Sequence, residues 1–210
     1  MAFLAEIGRL GIFTGSSGGI VTLATTGGLF NGLSAPSINN RGTVAFPAGL
    51  TSGGTGIFIG EGGAVISLYD PSGLFDSLGF GGLAINNGGT VAFYARLDTG
   101  IEGIFTGNGG PVTTIADTSN ALHELIHLPL SINDGRIVAF PGIVNGGEGI
   151  FIEGIFTGGG GPITTIADTS TSSPFGGLGE GGTPSTMTRL WPFGLYCGRG
   201  ARVSLLGWTQ

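Results

Sequence analysis

A block of about 47 residues recurs along this chain, and each copy is marked by an Asn-rich turn that leads into Val-Ala-Phe. The copies begin at Ile38, Ile85 and Ile132, so successive starts are 47 residues apart (85 − 38 and 132 − 85). Each marker is followed by a Gly-Ile-Phe step, a Gly-Gly turn and an apolar run that ends near an aspartate. A partial unit opens the chain, with Ala2-Phe3 and then Gly-Ile-Phe at residues 11–13. Such a period predicts units that stack on one another, so function is to be sought in residues that depart from the repeat.

The residues between the markers favour short β-strands. In each copy, the segments that correspond to TVAFPAGL, GIFIGEGG and AVISLYD are rich in β-branched and aromatic residues and are separated by glycine turns. A weaker fourth segment follows the aspartate and begins at Leu29, Leu74, Ala121 and Pro174. Four short strands per unit are typical of a propeller blade, whereas the coils of a β-solenoid are usually shorter, about 20 to 30 residues. We therefore predict an all-β, propeller-like array of about four units, covering residues 1–37, 38–84, 85–131 and 132–182, with a β-solenoid as the alternative.

The repeat stops near Gly182, and residues 183–210 have a different composition. They contain both tryptophans, the single cysteine Cys197 and three of the seven arginines. Two interpretations stay open for this segment. It is either a cap whose residues 202–206 pair with the first unit, or a tail of foreign origin such as the product of a shifted reading frame.

Composition narrows the partners of the chain. The 210 residues include 46 glycines and 10 prolines, but the periodic Val, Ile and Phe residues can be buried once units stack, which argues for one compact domain. A net charge of −6 and the lack of lysine exclude the basic surface that nucleic acids or anionic membranes require. No stretch approaches the roughly 20 apolar residues of a membrane span, and no signal peptide is visible. Because the chain begins inside a repeat, we expect it to be part of a longer, exported repeat protein.

The marker resembles the signature of a bacterial tandem-repeat family, Asn-x-x-Gly-x-x-Ala-Phe, which is often found in exported, surface-anchored proteins. The resemblance covers most of residues 1–170, although the third copy has Arg136 where the signature has glycine. It implies a propeller-like architecture and an extracellular habit, and it implies no known reaction. The positions that fit the signature are Asn39, Gly42, Ala45, Phe46, Asn86, Gly89, Ala92, Phe93, Asn133, Ala139 and Phe140.

The two histidines of the chain fall in one HExxH string, His123-Glu124-Leu125-Ile126-His127. On a helix, residues i and i+4 lie on one face, so His123 and His127 could hold one Zn²⁺ while Glu124 acts as general base on the bound water. Asp117 is one of the nearest acidic residues that could complete the ligand set.

The repeat register favours a different interpretation of the same string. It aligns Leu125 with Leu33 and Leu78, which belong to strand-like segments, and Pro129 prevents a long helix downstream. In an extended strand, residues four apart are separated by about 13 Å at about 3.3 Å per residue, which is too far for one metal ion.

A second set of candidates repeats with the fold. The pairs Asn39-Asn40, Asn86-Asn87 and Asn133-Asp134 precede each Val-Ala-Phe strand, where Asn and Gly are ordinary turn residues. In a propeller, equivalent residues converge near one axis, and a ring of amide and carboxylate oxygens suits Ca²⁺. The aspartates after the third strand, at positions 70, 117 and 168, read as Asx-turns or as a secondary Ca²⁺ site.

These observations support two functions. The first is a metal-dependent hydrolase of small neutral esters or lactones that uses Ca²⁺ or Zn²⁺ as its cofactor. Its catalytic residues would be Glu124, His123 and His127. The second is a non-catalytic extracellular module that binds a glycan or a protein partner. Exposed strand edges also allow a homo-oligomer, with a monomer as the open alternative. The predicted ligands are His123, His127, Asn87, Asn133, Asp134 and Asp117.

Overall fold

In the computed structural model, the repeat forms an open array of antiparallel β-sheets. The structure describes residues 1–16, 18–70, 72–146, 151–170, 188–190 and 195–197. Every regular element in these ranges is a β-strand, so the predicted all-β, propeller-like class is confirmed. Within these ranges no helix is long and apolar enough to cross a bilayer.

The first two sheets cover the N-terminal third of the chain. The first sheet is three-stranded and pairs in the order β1-β2-β3. The second has the order β4-β6-β7-β8, and the short β5 also pairs with β6. The bounds are β1 (Ala2–Glu6), β2 (Leu10–Ser16), β3 (Gly19–Thr25), β4 (Phe30–Leu33), β5 (Ser37–Ile38), β6 (Val44–Leu50), β7 (Thr55–Gly60) and β8 (Ile66–Tyr69).

The third and fourth sheets repeat this plan. The third pairs in the order β12-β11-β10-β9, and the fourth in the order β13-β15-β16-β17, with β14 also paired to β15. A separate two-stranded sheet joins the last two strands. The bounds are β9 (Phe75–Ile85), β10 (Val91–Leu97), β11 (Glu102–Gly107), β12 (Thr113–Asp117), β13 (Glu124–Leu125), β14 (Ser131–Ile132), β15 (Val138–Asn145), β16 (Phe151–Gly158), β17 (Thr164–Asp168), β18 (Thr188–Leu190) and β19 (Leu195–Cys197).

In the first three copies, the weak fourth segment opens the following sheet. The segment that starts at Phe30 pairs with the Val-Ala-Phe strand β6, and the segment that starts at Phe75 pairs with β10. We call these segments opening strands, namely β4 with β5, β9, and β13 with β14. The second, third and fourth sheets therefore run from an opening strand through Val-Ala-Phe and Gly-Ile-Phe to an outer strand.

The type of residue that follows Val-Ala-Phe correlates with whether the facing opening strand is continuous or split. Pro47 follows Val-Ala-Phe in β6 and Pro141 does so in β15, and both face opening strands that are split in two. Tyr94 holds the equivalent position in β10, where β9 is a single strand of 11 residues. Proline has no N–H to donate across a ladder, which is consistent with a break at that point.

The core lies between successive sheets, where one face of each sheet packs on the next. Each of the three hydrophobic clusters combines small and aliphatic residues of one sheet with phenylalanines of the following sheet. The aromatic layer between the first and second sheets shows the pattern, because Phe30 packs edge-on against Phe58 at 4.8 Å and against Phe46 at 5.9 Å. Because each cluster combines residues of two sheets, neighbouring units share their core.

The glycine that ends each Gly-Ile-Phe-x-Gly step lets neighbouring sheets approach closely. A Cβ placed on Gly60 would lie 3.0 Å from Cδ1 of Leu23 in the preceding sheet, and one on Gly158 would lie 3.0 Å from Cγ2 of Ile115. A larger residue at either position would require the facing side chain to shift. The glycines that the sequence shows as turn punctuation therefore also set the spacing between sheets.

The C-terminal prediction falls mostly outside the described residues. In residues 183–210, only β18 and β19 are described, and they pair with each other. Residues 202–206, which we expected to pair with the first unit if they form a cap, lie outside the described ranges.

Candidate functional site

The HExxH string does not form a helix. Glu124 and Leu125 form the short strand β13, in which Glu124 pairs with Ile143 and Leu125 with Gly142 of β15. The N–H of His123 also donates to the carbonyl of Ile143 at 2.7 Å. The segment therefore has the extended geometry of an opening strand, and the helical i, i+4 face that a zinc pair requires is not formed by residues 123–127.

Leucine burial accounts for this geometry. Leu125 is 4% exposed and occupies the core position that Leu33 and Leu78 hold in the other sheets, whereas His123, Glu124 and His127 are exposed. The apolar register thus fixes Leu125 inward and leaves the polar residues of the string at the surface.

Tyr94 anchors the chain that follows the string. It is fully buried, and its hydroxyl lies 2.9 Å from the carbonyl oxygens of both Ile126 and Leu128. Its ring meets the imidazole of His127 edge-on, with ring centroids 5.2 Å apart. Burial raises the pKa of the Tyr94 phenol well above its ordinary value. Tyr94 holds the position that proline has in β6 and β15, and its burial gives it a structural role.

The predicted metal ligands occupy three separate places. His123 and His127 flank β13, Asp117 ends β12, and only Asn87, Asn133 and Asp134 come together. In the described ranges, no group of three His, Cys, Asp or Glu side chains is close enough to hold a metal ion.

Asp117 has a local partner. Its Oδ1 accepts hydrogen bonds from the backbone N–H and the hydroxyl of Ser119, at 2.9 and 2.6 Å. Asp70 and Asp168 make the same bonds with Ser72 and Ser170. The expected Asx-turns are therefore confirmed at all three aspartates.

The three Asn-rich turns converge, as expected for equivalent positions of propeller blades. In the first two turns, the first asparagine donates from its side chain to the backbone of the next turn. Nδ2 of Asn39 lies 3.0 Å from the carbonyl oxygen of Asn86, and Nδ2 of Asn86 lies 3.0 Å from that of Asn133. Both bonds join residues 47 positions apart, so the sequence period is also the period of a hydrogen-bond ladder.

The second residue of each turn forms a parallel row of bonds. The backbone N–H of Asn40 donates to Oδ1 of Asn87 at 2.9 Å, and that of Asn87 donates to Oδ1 of Asp134 at 2.9 Å. Nδ2 of Asn87 also donates to Oδ2 of Asp134 at 3.0 Å. We refer to both rows together as the asparagine ladder.

The same asparagines also hold their own turns. Oδ1 of Asn39 accepts from the N–H of Thr43, Oδ1 of Asn86 from that of Thr90, and Oδ1 of Asn133 from that of Ile137, at 2.9 to 3.0 Å. Both ends of the Asn39 and Asn86 amides are therefore bonded within the protein. Buried amides satisfied in this way form a rigid support.

Left-handed backbone completes each turn. Gly42 has φ 88° and Gly89 has φ 79°, while Arg136 takes the equivalent conformation at φ 63°. Arg136 is the single non-glycine residue with positive φ among the described residues. The departure from the repeat signature at this position is thus accommodated in the backbone at an energetic cost.

The ladder lines a groove of about 350 Å³, which we call the axial groove. Asn39 and Asn86 are buried at its base, whereas Asn40 and Asp134 are exposed at its rim. Hydrogen bonds from the side chain and backbone of Asn87, with a smaller contribution from the charge of Arg41, hold the pKa of Asp134 below its ordinary value. The groove is lined by Ser37, Ile38, Asn39, Asn40, Ala84, Ile85, Asn86, Asn87, Leu130, Ser131, Ile132, Asn133 and Asp134.

Sequence reasoning gave the members of this site but not its bonding. The sequence shows the pairs as repeated polar residues. One sequence signal could have predicted the hydrogen bonds between them, because the asparagines recur at a constant interval of 47 residues. A constant interval is what a bond between equivalent atoms of stacked units requires.

Comparisons with known proteins bear on the fold. No protein-family model matches the chain, and no curated protein matches it. Among solved structures, the chain is similar to the crystal structure of TolB from Acinetobacter baumannii, with 19% sequence identity and a TM-score of 0.52. The match covers 82% of this chain and 43% of that chain, so the present chain spans less than half of the TolB chain. At this identity the likeness shows the fold alone, and it supports the β-propeller-like arrangement.

Proposed function

We propose that this chain is a non-catalytic binding module whose ligand-binding surface is the axial groove. The observation that carries the proposal is the convergence of three Asn-rich turns from successive repeats on one polar groove of about 350 Å³. This volume lies within the range of small-ligand sites, about 300 to 1,000 Å³. Because the supporting amides are already hydrogen-bonded to one another, the rim groups are held in place before a ligand arrives.

The ligand class follows from the groups at the rim. Asn40 is exposed, and its carboxamide makes no hydrogen bond with the described residues, so it can both donate and accept. Each Asp134 oxygen accepts from Asn87 and keeps further acceptor capacity. Neutral hydroxyl groups match such a set. Since the chain carries a net charge of −6, an anionic ligand is disfavoured, and we propose a short neutral oligosaccharide.

The hydrolase hypothesis receives less support from the same residues. A zinc-type mechanism needs His123 and His127 on one helical face, and residues 123–127 are extended around β13. A Ca²⁺ site would have to recruit oxygens that already accept hydrogen bonds in the asparagine ladder. Glu124→Ala serves to test this alternative, since it removes the only candidate general base of the string.

The binding proposal is tested by screening the purified protein on an array of neutral and charged glycans, followed by titration calorimetry of the best ligand. We expect Asn40→Ala to weaken binding by about 2- to 10-fold, the equivalent of one hydrogen bond. Asn108→Ala is the matched control, because Asn108 is also exposed but lies in the loop after β11, outside the groove. Binding that Asn40→Ala leaves unchanged, or no glycan binding, would overturn the proposal.

The hydrolase alternative is measured on the same samples. Turnover of an ester and lactone panel that is lost with chelator and in Glu124→Ala would replace the binding module by a metallohydrolase. We expect the unmodified protein and Glu124→Ala to show equal and negligible turnover.

A further inference from the structure

The residue before the isoleucine of each marker differs in one copy. Ser37 and Ser131 hold this position in the first and third copies, whereas Ala84 holds it in the second, and all three line the axial groove. The first serine has a bonding role, because the N–H of Ile85 donates to Oγ of Ser37 at 3.3 Å across 48 positions. The equivalent bond of the next interval would join Ile132 to residue 84. Alanine has no side-chain oxygen, so that bond cannot form.

Strand geometry directs the N–H of Ile132 away from β15. In the ladder between β14 and β15, the neighbouring Asn133 donates its N–H to the carbonyl of Ile137 at 3.1 Å. Bonded and non-bonded pairs alternate along an antiparallel ladder, so Ile132 belongs to a non-bonded pair whose N–H and C=O groups face outward. The third sheet has the same alternation, because the N–H of Ile85 faces Ser37 instead of β10.

The N–H of Ile132 therefore lies in the groove beside apolar side chains. Among the described residues, neither β15 nor residue 84 supplies an acceptor for this N–H. Ile132 is half-buried and packs against the hydrophobic cluster that contains Ala84 and Leu130, and all three residues line the groove. The groove thus holds a backbone donor that is bordered by apolar groups.

A donor in such surroundings favours an oxygen that only accepts. A sugar hydroxyl at this point would turn its own hydrogen towards apolar side chains, which costs free energy when that hydrogen has no partner. The carbonyl oxygen of an acetamido group accepts without carrying a hydrogen, and its methyl group suits the apolar neighbours.

On the basis of the proposed glycan binding, we infer that the N–H of Ile132 binds the acetamido carbonyl of an N-acetylhexosamine residue in the axial groove. The preferred ligand is then a neutral oligosaccharide that contains N-acetylhexosamine. Ala84 permits this contact, because the serine that the other two copies have at this position would occupy the donor.

The binding test uses the whole chain and two trisaccharides of the same linkage, one of N-acetylglucosamine and one of glucose. In titration calorimetry, we expect the acetamido trisaccharide to bind about 2- to 10-fold more tightly, the equivalent of one hydrogen bond. Ala84→Ser should remove this preference, since its hydroxyl would accept the N–H of Ile132. Ala64→Ser is the matched control, because Ala64 is exposed in the loop between β7 and β8, outside the groove.

Amide hydrogen exchange tests the donor without a ligand. In the free protein, the protection factor of the Ile132 amide should be about tenfold lower than that of the Ile85 amide, which Ser37 holds. Ala84→Ser should slow exchange at Ile132, and Ser37→Ala should speed exchange at Ile85. In the unmodified protein, the acetamido trisaccharide should slow exchange at Ile132.

The outcomes separate this inference from the proposed function. Equal protection of the two amides in the free protein, or an undiminished acetamido preference in Ala84→Ser, would overturn the role of Ile132. Equal or weaker binding of the acetamido trisaccharide would overturn the sugar class, while glycan binding found on the array would still stand. If no glycan binds, the proposed function fails and the acetamido site fails with it.

Discussion

Asn86→Ala removes the central rung of the asparagine ladder, and we expect it to destabilise the protein far more than the equivalent Asn133→Ala. Asn86 is 4% exposed, donates to the carbonyl of Asn133 and accepts from the N–H of Thr90. Two bonds at about 0.5–1.5 kcal/mol each are lost, and the N–H of the buried Thr90 is left without that partner. The free energy of unfolding should therefore fall by about 2–4 kcal/mol.

Asn133 is the matched control because it is the same type of residue at the equivalent position of the next turn. It is exposed, and its side chain makes one bond within the described residues, from the N–H of Ile137, which itself is 38% exposed and can reach water. Asn133→Ala should therefore reduce the free energy of unfolding by only about 0.5–1.5 kcal/mol.

The measurement is urea unfolding followed by far-UV circular dichroism, which reports on strand content. Thermal unfolding gives a second reading, with Tm lower by roughly 5–15 °C in Asn86→Ala, at about 2–4 °C per kcal/mol for a chain of this size. If both variants lose the same stability, the ladder does not couple the repeats and the reasoning is refuted. Asn86→Asp adds a check, since a carboxylate would face the carbonyl of Asn133 and the variant should recover stability when acid protonates it.

Three further outcomes follow from single residues. Arg136→Gly should raise the free energy of unfolding by about 0.5–1 kcal/mol in the same assay. Glycine relieves the strain of the left-handed backbone at φ 63°, and this gain is partly offset because glycine also increases the entropy of the unfolded chain. A loss of stability would contradict this expectation. Carboxyl NMR titration should give Asp134 a pKa below its ordinary value, and this pKa should rise in Asn87→Ala. The stability that the Asn87–Asp134 pair contributes should be present above the unfolded-state pKa and should disappear as the pH falls through the lowered folded-state pKa. Tyr94→Phe should cost about 1–2 kcal/mol and speed amide exchange at Leu128, since the hydroxyl anchors the carbonyls of residues 126 and 128; unchanged exchange would argue that the anchor is not needed.

Much of the fold could be predicted from the sequence because the same strand and turn patterns occur in several copies of the repeat. The segments around Val-Ala-Phe and Gly-Ile-Phe were correctly predicted as strands, and the Asx-turns at the three aspartates were also predicted. The HExxH string was the ambiguous case, since five residues carry no period that separates helix from strand. The core position of Leu125 decided it, through pairing with β15.

The candidate site divides in the same way. The sequence named Asn87, Asn133 and Asp134 as residues that would converge, and they do. It also grouped them with His123, His127 and Asp117, which lie elsewhere, because spacing along the chain does not report which end of a strand a side chain occupies. The sequence shows Tyr94 where the other copies have Pro47 and Pro141, but its burial depends on packing between sheets.

The sequence by itself determined the period, the strand-rich class and the turn chemistry, because these depend on residues that are near one another in the chain. The tertiary structure alone decided which sheet each opening strand joins and which polar atoms bond across 47 residues. Those features depend on how units stack, and contacts between stacked units are set by three-dimensional packing that local propensity does not encode.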